Sequence, residues 1–151
     1  MPEAGEIAPP PLKILSKAEK AQLDETSDIK KRTILALALM EARVKKAESL
    51  DAQNEFEQMY EQLGGFHALI DYTLGFLNRN NDGSRSDLAN FKRFEIGLRV
   101  FPPRIEVIRR ELPLKYESYL RSLLKTIRET RSKAVEPFFS DSVIPGERNE
   151  P

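Results

Sequence analysis

Cysteine and tryptophan are absent from this chain, histidine occurs once, and no apolar run approaches the ~20 residues needed to cross a bilayer. Each absence removes a class of function. Without cysteine there are no disulfides, thiolate metal sites or cysteine nucleophiles. One histidine cannot supply the paired Glu-x-x-His motifs of di-metal helical bundles, and no Glu-x-x-His occurs. The phosphate-binding G-x-x-x-x-G-K-[ST], the dinucleotide G-x-G-x-x-G and the G-x-S-x-G nucleophile elbow are missing too. No cofactor or metal is therefore expected. The start of the chain lacks a basic n-region and an apolar h-region, so a cytoplasmic protein is the default expectation from the sequence as given. An exported or periplasmic location is the alternative if a signal peptide has been removed.

Charge of one sign is also lacking in excess. Lysine plus arginine and aspartate plus glutamate number 24 each, so no net field marks nucleic acid or an anionic membrane as partner. The distribution is uneven. Residues 1–83 carry 10 basic and 14 acidic side chains, residues 84–136 carry 13 and 7. Helices that bring these halves together would pair them.

What is present is helical patterning. A length of 151 residues, 40% hydrophobic and 32% charged, suits one domain with its own core. Phe91, Leu98, Ile105 and Leu112 are seven apart, with Phe94, Phe101 and Ile108 between them. That beat is a helix signal, and it stays in phase across Pro102 and Pro103. Phe56, Leu63, Ile70 and Leu77 keep the same spacing, with Tyr60, His67 and Leu74 between.

Taken in order, Pro9, Pro10 and Pro11 favour an extended polyproline II conformation, so residues 1–14 are expected to form a flexible tail. Ser16 and Glu19 have capping-box spacing, which starts a short helix over 17–25. Thr26, Ser27 and Asp28 precede a helix over 29–50 with Ile34, Leu37, Leu39, Met40, Val44 and Ala47 as its apolar face. Asp51 is the expected cap of a helix over 52–78, in which Gly64 and Gly65 mark close packing. The run Asn80-Asn81-Asp82-Gly83-Ser84 reverses the chain. Ser86 or Asp87 then caps a helix that bends or breaks at Val100 to Pro103 and resumes to Leu112. A last long helix runs over 113–135, with Tyr116, Leu120, Leu123, Leu124, Ile127 and Ala134 buried, and Pro137 ends it. Residues 138–144 are expected to fold back, and 145–151 to be a disordered tail. The fold class is all-α, an up-and-down helical bundle of four main helices, one kinked at Pro102-Pro103, plus a short N-terminal helix, in one domain over 15–144.

Three sets of residues are candidates for chemistry. His67 has Asp71 four residues later on the same helical face, where a carboxylate orients an imidazole as base or ligand. A structural histidine bonded to Asp71 is the competing explanation. Arg121, Lys125, Arg128 and Arg131 fall on the last helix, and arginine favours bidentate contact with carboxylate or phosphate. Pairing of the basic residues with Glu55, Glu57, Glu61, Glu117 and Glu129 would neutralise them. Pro102, Pro103 and Arg104 surround the bend, whose concavity is a place for a hidden site.

The stretches L-R-V-F-P-P-R-I-E-V-I-R-R-E-L-P, K-Y-E-S-Y-L-R-S-L-L and R-S-K-A-V-E-P-F-F resemble segments of helical proteins of soil bacteria that have no assigned activity. Many of these have exported N-termini. The resemblance spans about residues 15–145, implies an all-helical fold and the cell envelope, and carries no catalytic residue. The expected function is a non-enzymatic binding or scaffolding module with a protein partner or self-association. The alternatives are an anion or nucleic-acid binder using the arginine-rich helices 87–135, with nucleic acid disfavoured by the neutral net charge, and a small enzyme centred on His67 and Asp71.

Overall fold

The computed structural model describes residues 7–148, with side-chain surroundings through Phe139. Residues 1–6 and 149–151 lie outside the described residues. The described secondary structure is all helical: α1 (Lys17–Glu25), α2 (Ile29–Ala52), α3 (Phe56–Arg79), α4 (Arg85–Leu98), α5 (Phe101–Glu111), a 3-10 turn (Leu114–Tyr116) and α6 (Glu117–Arg148). The helices pack together, α2 most extensively on α3, while α6 lies against α3, α4 and α5.

Local chemistry explains the starts. Ser16 Oγ accepts from the Glu19 N–H at 3.0 Å while the Glu19 carboxylate accepts from the Ser16 N–H at 2.8 Å, so the capping box closes in both directions. Asp28 accepts from the Lys31 N–H at 2.9 Å and opens α2. The third start differs from expectation. Asp51 lies inside α2, which runs to Ala52, and the reversal is made by Asn54 at φ 60°, a left-handed position that asparagine tolerates. In the next loop Gly83 sits at φ 80°, and the Asn81 and Asp82 side chains accept from the Gly83 and Ser84 N–H groups at 3.0 and 2.9 Å. Ser84 is the cap of α4, two residues before Ser86, and Asp87 supplies the N–H it accepts from at 3.1 Å.

Between α4 and α5 the break falls at Arg99 and Val100, ahead of both prolines. Pro102 and Pro103 occupy the first turn of α5, where an N–H would have no intrahelical acceptor. Arg99 and Val100 keep right-handed helical dihedrals, φ −64° with ψ −22° and φ −79° with ψ −17°. The apolar phase consequently survives the break. Phe91, Phe94, Leu98, Phe101, Ile105 and Ile108 are all buried in one core with Phe66 and Phe76 of α3.

Helix α2 buries most of the expected face, with Ile34 as the exception. Thr33, Ala36, Met40, Val44 and Ala47 are inside, Leu37 and Leu39 are half-buried, and Ile34 is 48% exposed. Helix α6 continues through Pro137, the expected stop, because the chain is anchored on both sides: Ala134 is buried and Phe138 packs on the core. Those contacts offset a helix-interior proline, which costs about 3 kcal/mol. Residues 138–144 therefore extend α6 instead of folding back, and the segment expected to be disordered from residue 145 begins inside the helix.

Candidate functional site

The heptad spacing of α3 puts Tyr60 and His67 on one buried stripe, and α6 approaches with Tyr116 just before its first turn and Tyr119 within it. The rings form a ladder. Tyr60 and Tyr116 have centroids 4.8 Å apart at 56°, and Tyr60 meets Tyr119 edge-on at 5.4 Å and 81°. The Tyr119 hydroxyl lies 2.8 Å from His67 Nδ1. Burial pushes the Tyr119 phenol well above its ordinary value, with Tyr60 and Asp71 adding to the effect, so the hydroxyl keeps its proton. Burial lowers the His67 pKa, Asp71 opposes that shift and Lys13 adds to it. The imidazole is therefore neutral near pH 7, with its Nε2 3.9 Å from Asp71.

Above the ladder lies the segment expected as a flexible tail. Residues 7–15, outside any helix, lie against α3 and the 3-10 turn and are tied at three points. The Ala8 N–H donates to the Lys115 carbonyl at 2.9 Å, the Tyr60 hydroxyl donates to the Pro9 carbonyl at 2.7 Å, and Lys13 Nζ lies 3.3 Å from Asp71. Burial and then the neighbouring Tyr116 push the Tyr60 pKa up to about 12, so its proton stays on the hydroxyl. Gly64 is the floor: a Cβ there would run into the Leu12 carbonyl. At Gly65 the close neighbour is the Arg43 guanidinium, which also binds Glu19 at 2.7 and 2.8 Å and thereby ties α2 to α1. The close approach expected at these glycines is thus made by the 7–15 segment and an arginine. An open groove of about 1010 Å³ remains beside the segment, lined among others by Ile7, Leu12, Ile14, Tyr60, Glu61 and Tyr116.

The arginine set is dispersed by its partners. Arg121 pairs with Glu117 at 2.8 Å, Lys125 with Glu129 at 3.9 Å, and Arg131 with the buried Glu95 at 2.9 Å. Arg128 alone of the four has no carboxylate at ion-pair distance among the described residues. It lines a groove of about 400 Å³ with Pro102, Pro103, Glu106, Leu124 and Arg131. Arg104 points elsewhere, clamping α5 to α2 through Glu48 at 2.7 and 2.9 Å and Glu41 at 2.6 Å. Glu117 and Glu129 are paired as expected, whereas Glu41, Glu48 and Glu95 take the arginines foreseen for Glu55, Glu57 and Glu61.

His67 and Asp71 are close, yet His67 lines neither groove, and one of its nitrogens is already bonded to Tyr119. Among the described residues no three His, Asp or Glu side chains cluster as metal ligands. Tyr60 and Tyr116 entered the sequence argument only as core positions, and Tyr119 did not enter it. Comparison with protein-family models, with curated proteins and with solved structures yields no match for this chain.

Proposed function

We propose that the chain is a non-enzymatic helical binding or scaffolding module whose binding surface is the apolar groove beside residues 7–15. Its frame is an up-and-down bundle of four rods: α2, α3, the bent pair α4 with α5, and α6. The observation that carries this reading is the groove itself, about 1010 Å³ of open, largely apolar surface, on a chain where most of the other candidate groups are engaged internally. Ligand sites are typically concave and apolar with a few convergent polar groups, here the Tyr60 hydroxyl, Glu61 and Arg43. The anion-binding alternative draws less support, because three of its four cations are held by carboxylates. The enzyme alternative draws less as well, since a general base needs reach to a substrate and His67 opens on neither groove.

Selection of random displayed peptides on the immobilised full chain tests the reading. Peptides that bind the chain and lose binding on Tyr116→Ala are the expected result. Selection that yields no peptide sensitive to Tyr116→Ala or Tyr60→Ala would overturn it.

A further inference from the structure

We infer that Asp51 and Glu111 form a binding site for a hard divalent cation, calcium before magnesium, at the end of the bundle where α2 and α5 stop. The site shares no residue with the groove beside residues 7–15, so the two stand or fall separately.

Asp51 lies in the last turn of α2, and Glu111 is the last residue of α5. The two helices pack on each other, and the two carboxyl groups meet where they end. Asp51 is only 8% exposed, and its buried Oδ1 has no hydrogen-bond partner among the described residues. No lysine or arginine stands at ion-pair distance from either acid among the described residues. The arginines beside Glu111 in sequence are engaged elsewhere, Arg109 with Glu106 and Glu117, and Arg110 with Glu106. A buried carboxylate against a second carboxylate is costly without a positive charge. Either a proton shared by the pair or a metal ion supplies it, and an orphaned buried oxygen is one mark of an ion.

The helix ends favour the metal. Carbonyl ends of helices carry partial negative charge and attract cations, and α2 has no basic residue in its last turn. Helix α5 runs out into an extended Leu112 and then Pro113, which has no N–H to return to the last-turn carbonyls. Such carbonyls are the oxygens available beside the two carboxylates, and water completes a shell. Only two acidic side chains take part, in keeping with the absence of any three-residue ligand cluster among the described residues. An all-oxygen, irregular set suits calcium, which accepts about six to eight oxygens in flexible geometry, whereas magnesium demands a near-octahedral shell and softer metals prefer nitrogen and sulfur. Two carboxylates carry less charge than a dedicated calcium loop, so the expected dissociation constant is about 0.1–1 mM.

Thermal melts of the full chain near neutral pH, first in chelator and then in calcium chloride, test the site. About 10 mM calcium is expected to raise the melting temperature by about 3–8 °C. Asp51→Asn and Glu111→Gln should each cut that rise to below about 1 °C, while Glu25→Gln, an exposed acid of α1, should keep it. In chelator the two acids face each other alone, so either substitution relieves repulsion and circular dichroism should report unchanged helix. Manganese, added at about a twentieth of the protein concentration, locates the ion: it should broaden the amide resonances of Asp51 to Asn54 and of Arg110 to Leu112 first, and should not do so in Asp51→Asn. A calcium shift that persists in both variants, no shift up to about 10 mM, or broadening centred on other residues would overturn the assignment and leave the pair with a shared proton only.

Discussion

Arg131 of α6 donates through Nε to the buried Glu95 carboxylate of α4 at 2.9 Å, and the same carboxylate takes Arg99 from its own helix at 2.6 and 3.0 Å. Arg99 first, and Arg131 with it, hold the Glu95 carboxyl below its usual range against the opposing effect of burial. Arg131→Ala leaves a buried charge half-served and is expected to destabilise the fold by about 1–3 kcal/mol. Arg121→Ala, which removes an exposed helix pair, should cost only about 0.3–0.5 kcal/mol. Urea midpoints of the two variants measure the difference. A carboxyl with a depressed folded pKa stabilises the fold above its unfolded value of 4.5, and that contribution is lost as pH falls through the folded pKa. The Arg131→Ala chain should therefore show a weaker loss of stability below pH 4.5 than its parent.

Asp51 behaves in the opposite sense. Burial, and then Glu111 by hydrogen bonding and charge repulsion, push its pKa up to about 6, and its Oδ1 has no hydrogen-bond partner. The folded state holds this proton more tightly than the unfolded chain, so stability falls as pH rises from about 4 to 6 and stays lower above. Asp51→Asn should stabilise the chain at pH 8 by roughly 1 kcal/mol, with little gain at pH 4. Thermal melts at the two pH values decide it, and an equal effect at both would refute the assignment.

His67 and Tyr119 give a third test. Tyr119→Phe removes the hydroxyl at His67 Nδ1 and leaves a buried nitrogen without a partner, at a cost of about 1–2 kcal/mol. The folded His67 pKa is lowered, so the unfolded chain binds the proton first and stability should drop as pH falls below 6.5 through the folded value. An imidazole titration followed by NMR should find a midpoint below 6.5. A midpoint above it would mean that Asp71 outweighs burial.

Gly64→Ala gains about 1 kcal/mol of helix propensity in α3 yet drives the Leu12 carbonyl outward. The expected outcome is a bundle of unchanged or higher melting temperature whose Lys13–Ile14 bond is cut by trypsin at least several-fold faster. Unchanged cleavage would place the segment's hold elsewhere than at Gly64.

Much of the helix layout was legible because it rests on short-range signals: the Ser16–Glu19 box, the Asp28 cap, the Gly83 turn and the seven-residue beat around Phe91 and Phe56. The failures have one physical source, the tertiary contact. Asp51 looks like a cap in isolation, but Asn54 takes the left-handed turn. Pro137 looks like a stop, but Ala134 and Phe138 hold the helix across it. The His67 and Asp71 pair was readable from a four-residue spacing, whereas Tyr119 lies 52 residues from His67 and Pro9 51 from Tyr60. No local pattern announces such partners.

The junction at Arg99 and Val100 tightens the winding without reversing it, since both residues keep right-handed dihedrals and the Arg99 N–H donates to the Ile96 carbonyl three residues back at 3.2 Å. Each residue still advances the chain by about 100–120° around the axis. The junction is therefore sensitive to a change of residue number. Deleting Val100 would turn the whole of α5 by that angle, carry Ile105 and Ile108 out of the core and swing Arg104 away from Glu41 and Glu48. The register of α5 thus depends on how many residues stand at the junction, more than on the half-exposed side chain of Val100.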